Sequence, residues 1–133
     1  MTCFFIHKNC LNPHLRKINH IKTIHSSLAI EQNTLSIEQV TAIINGKRVF
    51  GHPVEILEVK NATVAYKQLL SYDPLSIDDM LKAHKLMMNE VVTGFGHFRT
   101  TGVGAFAGTK LNHMAPPAQK EPELIAILIE WYK

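Results

Sequence analysis

Apolar residues recur along most of this chain with the spacing of an amphipathic helix. Between Pro13 and about residue 31 they stand three or four positions apart, which predicts a first helix with an apolar face at Ile18, Ile21, Ile24 and Leu28. Ser36 followed by Gln39 has the form of a capping box, so a second helix is expected to begin there and to end at Gly46. Residues 1–12 have no such period, and we predict a loose N-terminus there.

The rest of the sequence keeps the helical spacing of apolar residues except in one segment. Pro53 suits the first turn of a third helix that runs to about residue 70, and Ser76 begins a fourth. Residues 102–114 instead combine glycines with alternating side chains, which predicts a β-hairpin that turns near Gly108. A last helix begins at Pro122, and its apolar positions are Leu124, Ile127, Leu128 and Trp131. It meets no stop signal, so we expect the helix bundle to be incomplete at its C-terminus.

Composition narrows the class of protein. The chain has 133 residues, of which 46% are hydrophobic and 19% charged, as in a soluble globular domain. A net charge of +3 without a basic stripe argues against nucleic acid, so helices at 36–46 or 77–91 are not expected to bind DNA. No apolar run approaches the roughly 18 residues of a membrane span. Cys3 and Cys10 are expected to be free thiols, and the predicted location is cytoplasmic.

Several kinds of active site are absent from the sequence. The eight histidines include no His-x-x-x-His or His-Glu-x-x-His pair, so no metal site is predicted. No serine or cysteine stands in a nucleophile motif, and no phosphate loop of the Gly-x-x-x-x-Gly-Lys type occurs. None of these three kinds of site is therefore predicted.

One helix end carries an unusual carboxylate. Ser27 and Glu31 stand four residues apart, on one face of the first predicted helix, and Glu31 falls in its last turn. A negative charge at the C-terminus of a helix opposes the helix dipole at a cost of about 0.3–1 kcal/mol. Glu31 therefore either tolerates this position in water or serves to meet a positively charged partner.

Four short motifs occur along the chain in an order that is typical of one protein family. Residues 26–35 read Ser-Ser-x-x-Ile-Glu-x-Asn-x-Leu, and a Leu-x-x-His pattern ends at His84. Gly-x-Phe-Arg follows at residues 96–99, and the predicted hairpin runs from Val103 into the prolines at 116–117. In this order, over some 110 residues, the motifs resemble those of Fic (filamentation induced by cAMP) proteins. Ser27 and Glu31 match that family's inhibitory motif, Ser/Thr-x-x-x-Glu-Gly/Asn, from which Gln32 departs.

The resemblance implies a fold and a role for each part. Residues 13–133 would be the N-terminal portion of a Fic domain, a mainly α Fic-like helical bundle with an inhibitory helix at about 13–32 and a flap at about 102–117. Glu31 would be the inhibitory glutamate, supported by Ser27. The flap would dock a target protein by strand addition, through Val103, Gly104, Ala105, Phe106, Ala107 and Gly108. The complete family domain transfers AMP from ATP to a protein hydroxyl and uses magnesium.

The family's catalytic loop, His-Pro-Phe-x-x-Gly-Asn-Gly-Arg-x-x-Arg, is missing from this sequence, so the resemblance assigns no catalytic residue to this chain. The chain is therefore expected to be the truncated, inactive first part of a self-inhibited adenylyltransferase, with no cofactor of its own. Its expected partners are an unknown target protein and the missing C-terminal half or another Fic protein. An alternative is a non-catalytic regulator that supplies the Glu31 helix in trans. The target, the transferred nucleotide and the oligomeric state, including a homo-oligomer, are left open by the sequence.

Overall fold

A computed structural model describes residues 13–132, and in this range the chain is mainly helical. The predictions for residues 1–12, including both cysteines, lie outside the described residues. The described chain forms five α-helices, two short 3₁₀ turns and one two-stranded sheet. In chain order these are α1 (Pro13–Ile30), α2 (Ile37–Ile44), α3 (Pro53–Gln68), a 3₁₀ turn (Leu69–Ser71), α4 (Ile77–Met88), β1 (Gly104–Ala107), β2 (Lys110–Met114), a second 3₁₀ turn (Ala118–Lys120) and α5 (Glu121–Tyr132). The helical class and the hairpin predicted from the sequence are thus confirmed.

Helix α1 packs against α2 through the apolar face that the sequence predicted. Its Ile24 is completely buried, as is Val59 of α3, and Val40 of α2 is 1% exposed. The other buried apolar residues in this part of the chain are Ile21, Leu28, Leu35, Ile43 and Ala62. Burial of a branched aliphatic side chain stabilises a fold by about 1.5–3 kcal/mol, so this cluster holds the first part of the chain together.

Local hydrogen bonds fix the ends of α2. The Ser36 hydroxyl accepts from the Gln39 backbone N–H, while the Gln39 side chain accepts from the Ser36 N–H, which is the predicted capping box. At the other end Gly46 has a φ of 77°, and the Lys47 N–H donates to the Ala42 carbonyl at 2.9 Å. That arrangement is a Schellman motif with glycine in the left-handed position.

Contacts divide the described chain into two compact units, with the division between Thr63 and Val64. Within the second unit, neither α4 nor α5 buries a residue completely. The apolar face of α5 is exposed, from 42% at Leu124 to 81% at Trp131. Among residues 13–132, no helix has both the length and the apolar character needed to cross a membrane.

Candidate functional site

Helix α1 ends in a Schellman motif immediately before the loop to α2. The Asn33 N–H donates to the Leu28 carbonyl at 3.0 Å, and the Gln32 N–H donates to the Ala29 carbonyl at 3.1 Å. Glu31 is the last residue before the reversal, so the helix proper ends one residue earlier than the sequence pattern predicted. The reversal fixes the direction in which the chain leaves the helix.

Gln32 occupies the left-handed position of this motif. Its φ is 68°, a region that costs a side-chain-bearing residue about 1–2 kcal/mol and that glycine and asparagine enter more readily. The corresponding residue at the end of α2 is Gly46. The Gly/Asn preference after the glutamate in the inhibitory motif thus has a backbone reason. Nothing in the structure explains why this chain carries glutamine there.

Ser27 and Glu31, the two residues predicted to be inhibitory, differ in exposure. Ser27 is half-buried within α1, and Glu31 is exposed at the helix end. The last turn of α1 contains no basic residue. Within residues 13–63 the Glu31 carboxylate forms no ion pair or side-chain hydrogen bond. The carboxylate is therefore presented to solvent at the negative end of the helix dipole, where a cation would be attracted.

The loop after Glu31 is tied to the beginning of α3. One Glu55 carboxylate oxygen accepts from the Thr34 N–H at 2.6 Å and from the Thr34 hydroxyl at 2.8 Å. The Asn33 side-chain amide donates to Glu58 at 2.7 Å and to the Glu55 backbone carbonyl at 3.1 Å. The hydrogen bonds from the Thr34 backbone and side chain lower the pKa of Glu55 below its usual value.

A second candidate surface is the β1–β2 hairpin. The strands are antiparallel, with Ala107 opposite Lys110 and Gly104 opposite Met114, so the two-residue turn contains Gly108, as predicted. The register shifts after Ala105, which leaves one extra residue in β2 as a β-bulge. All the residues proposed for target docking are exposed: Val103, Gly104, Ala105, Phe106, Ala107 and Gly108. Val103 precedes β1, and its carbonyl accepts from the N–H of residue 115 at 3.0 Å.

Arg99 holds the base of this hairpin. Its guanidinium donates to the Thr101 carbonyl at 2.9 Å and to the Pro116 carbonyl at 2.6 Å, one on each side of the hairpin. The same group lies 3.5 Å from the Glu121 carboxylate at the start of α5. Because a guanidinium presents several donors in one plane, a single side chain can join these three segments. The arginine of the Gly-x-Phe-Arg motif therefore acts on the backbone at the base of the hairpin.

A cleft of about 860 Å³ lies beside Arg99, between α4 and the start of α5. Two of its polar side chains have partners: His84 accepts from the Gly96 N–H at 2.9 Å through Nδ1, and Glu121 pairs with Arg99. Within residues 13–132, no group of three or more His, Cys, Asp or Glu side chains is arranged to hold a metal ion. The Gly-x-x-x-x-Gly-Lys phosphate loop is also absent from the sequence.

Comparison with solved structures identifies the family. The crystal structure of a Fic family protein from Desulfovibrio desulfuricans G20 superimposes with a TM-score of 0.83 and is 52% identical in sequence over 91% of this chain. The chain belongs to the Fic family. It spans 37% of the length of that Fic protein. A scan of protein-family models gives no match, and neither does a search of the curated proteins.

Sequence reasoning did not find all the residues that shape these Fic surfaces. It selected Ser27 and Glu31 but missed the contacts of Asn33 and Thr34 with Glu55, because the partners are more than 20 residues apart. The sequence does show two glutamates, Glu55 and Glu58, in the first two turns of α3. They identify a contact only once the fold places the loop beside them. The inhibitory and docking roles remain predictions.

Replacement of Gln32 by glycine is expected to stabilise the chain by about 1 kcal/mol, because glycine adopts the left-handed conformation without strain. The matched substitution Gly46→Gln places the same side chain in the same position of α2, where a Cβ meets nothing within 4 Å. It should destabilise by a similar amount. Urea unfolding of both variants measures the difference, and equal midpoints for Gln32→Gly and the unmodified chain would contradict the strain.

Acid should weaken the tie between Thr34 and Glu55. Since the pKa of Glu55 is lowered by folding, its contribution to stability is present above the ordinary value of 4.5 and is lost as the pH falls through the lowered pKa. The Glu55→Gln variant should therefore be less stable than the original chain at pH 7 and approach it in acid. Unfolding midpoints between pH 7 and pH 3 test this, and a difference that stays constant across the range would refute it.

Lysine in place of Arg99 is expected to loosen the hairpin base, because one ammonium group cannot reach both carbonyls in the geometry of a guanidinium. Hydrogen exchange at the Ala115 amide, which bonds to Val103, should become faster. Arg48→Lys, at an exposed position in the other unit, is the control and should leave that amide unchanged. Unaltered exchange in Arg99→Lys would show that the hairpin does not depend on this side chain.

Proposed function

We propose that this chain is the N-terminal, inhibitory part of a self-inhibited Fic protein whose full-length form transfers AMP from ATP to a hydroxyl of a target protein. The observation that supports it is the exposed Glu31 carboxylate at the end of α1, in a family whose inhibitory motif places a glutamate there. The role of Glu31 is to pair with the arginine of the catalytic loop. That arginine then no longer clamps the γ-phosphate, so ATP does not bind productively.

Electrostatics favour such a pair. A guanidinium can donate two parallel hydrogen bonds to a carboxylate, which gives both strength and a defined geometry. Glu31 also lies at the negative end of the α1 dipole, where the last turn offers no basic residue. An incoming arginine would therefore neutralise the carboxylate and the helix end together. Ser27, one turn earlier, would support the contact from the same side of the helix.

The remaining parts of the chain suit a role in a larger Fic assembly. The hairpin has exposed strand edges that can accept a target segment by strand addition. The exposed apolar face of α5, at Leu124, Ile127, Leu128 and Trp131, would pack against further Fic residues. Because the 133 residues include no catalytic loop, this chain on its own would transfer no AMP. Its proposed location is the cytoplasm.

A second candidate is a regulator that supplies the Glu31 helix to another Fic protein. The contacts that hold this helix end all lie within residues 13–63, which supports a segment able to keep its shape in trans. The presence of the hairpin favours the first candidate, because a dedicated inhibitor has no need of a flap.

The test grafts residues 13–132 into an active Fic adenylyltransferase in place of the matching segment. The Desulfovibrio protein is a suitable host, provided that it transfers AMP, since 52% identity makes the boundaries clear. With labelled ATP and magnesium, the graft should incorporate little AMP. The variants Glu31→Gly and Glu31→Gln should incorporate at least about tenfold more, which corresponds to about 1.4 kcal/mol. Glu38→Gln, another exposed carboxylate, is the control.

Two further arms separate the candidates. The isolated 133-residue chain should incorporate no label, and self-modification would overturn that expectation. The same chain is then added to a host whose own inhibitory glutamate has been removed. Inhibition in trans that is lost with Glu31→Gly favours the regulator. Equal rates for the Glu31 graft and its variants would end the inhibitory proposal.

A further inference from the structure

The segment that follows Glu31 is held at both of its ends. The Asn33 backbone N–H bonds to Leu28 in α1, while its side-chain amide bonds to Glu58 in α3. The Asn33 side-chain oxygen accepts from the Leu35 N–H at 3.1 Å, which closes a local turn. Asn33 thus joins the end of α1, the loop that follows it, and α3.

Thr34 adds a second tie beside the first. Its N–H and hydroxyl both reach the same oxygen of Glu55, at 2.6 and 2.8 Å. Hydrogen bonds to an ionised acceptor are about twice as strong as neutral ones, so two on one carboxylate resist displacement. Val59, which follows Glu58 directly and lies one turn after Glu55, is completely buried, and this anchors α3 in the core. The loop is therefore bound to a rigid support.

These contacts restrict Glu31 directly. One residue, Gln32, separates Glu31 from Asn33, and its left-handed backbone leaves little freedom between them. If the loop detached from α3, the last turn of α1 would keep the burial of Leu28 and the Schellman hydrogen bonds, but Glu31 beyond them would be less restrained, because ends of helices readily fray. Attachment of the loop therefore determines how steadily the Glu31 carboxylate is presented.

We propose that Asn33, Thr34, Glu55 and Glu58 form a clamp of positioning residues that sets the strength of inhibition by orienting Glu31. The proposal rests on the inhibitory role proposed above for Glu31. A bidentate contact with a guanidinium demands a fixed carboxylate, so a loosened helix end would bind the arginine less well although Glu31 itself is intact. The clamp would make the degree of inhibition adjustable at residues remote in sequence from the motif.

The first arm measures the clamp in the full 133-residue chain. In Glu55→Ala and Asn33→Ala, hydrogen exchange at the amides of Gln32 and Asn33 should become about tenfold faster, as loss of a hydrogen bond to a charged group implies. Exchange at Val40, whose N–H bonds to Ser36 inside α2, should stay unchanged and shows that the chain is folded. Unchanged protection at Gln32 and Asn33 would overturn the clamp.

Milder variants keep this arm decisive if an alanine variant fails to fold. Thr34→Val removes one hydroxyl and leaves the backbone contact, whereas Thr34→Ser retains both and should behave as the original chain. Thr41→Val is the matched control, because the Thr41 hydroxyl makes a bond of 2.6 Å to Ile37 within α2. Glu38→Gln is the matched control for Glu55→Gln, because each variant removes a carboxylate from the first turn of a helix, α2 or α3.

The second arm measures AMP transfer in the active graft described above. Clamp variants should raise the basal rate by at least about threefold but less than Glu31→Gly, since they weaken the pair without removing it. A merely structural role would lower the rate through loss of folded protein. Combining Glu55→Ala with Glu31→Gly should add nothing to the effect of Glu31→Gly.

The outcomes distinguish the two proposals. If Glu31→Gly raises the rate and the clamp variants do not, the clamp has no positioning role while the inhibitory role stands. If Glu31→Gly leaves the rate unchanged, the inhibitory role fails and the positioning role fails with it, whatever the exchange data show. A raised rate in Thr34→Val that returns to the original value in Thr34→Ser supports the clamp.

Discussion

The hydrogen bonds that Glu55 accepts from Thr34 join two parts of the chain 21 residues apart, and the placement of the loop after Glu31 depends on them. They hold this loop, which lies between α1 and α2, against α3. The helices themselves are held together by the buried cluster around Ile24, Val40 and Val59. The exposed Glu55 carboxylate can hold the loop because both of its donors, the N–H and the hydroxyl, belong to one loop residue, Thr34.

Charged side chains act on backbone groups at both candidate surfaces. Glu55 accepts from a backbone N–H beside the inhibitory motif, and Arg99 donates to two backbone carbonyls at the base of the hairpin. Each joins segments whose own hydrogen-bonding groups are not satisfied by a helix or a sheet. Loops that present functional residues need such supports, because a loop has few regular hydrogen bonds of its own. The motif arginine of the flap is understood in this way as a structural residue.

The end of α1 combines two locally unfavourable choices. Glu31 places a negative charge at the negative end of a helix dipole, and Gln32 adopts a left-handed backbone that glycine would adopt more easily. Local choices that oppose stability are concentrated at functional sites in natural proteins. The charge at Glu31 agrees with the proposed pairing to an arginine, whereas the glutamine has no such account. The same motif at the end of α2, with Gly46, shows what the unstrained version looks like.

The sequence by itself determined the elements. Helical periodicity predicted α1 to α5, and glycines with alternating side chains predicted the hairpin. Ser36 and Gln39 predicted the capping box. Each of these signals acts over a few neighbouring residues. The order of the motifs also identified the family. Only the tertiary structure decided which residues support Glu31 and the flap. Asn33 and Thr34 meet Glu55 and Glu58 across the fold, and such pairings depend on how helices pack, which no local pattern encodes.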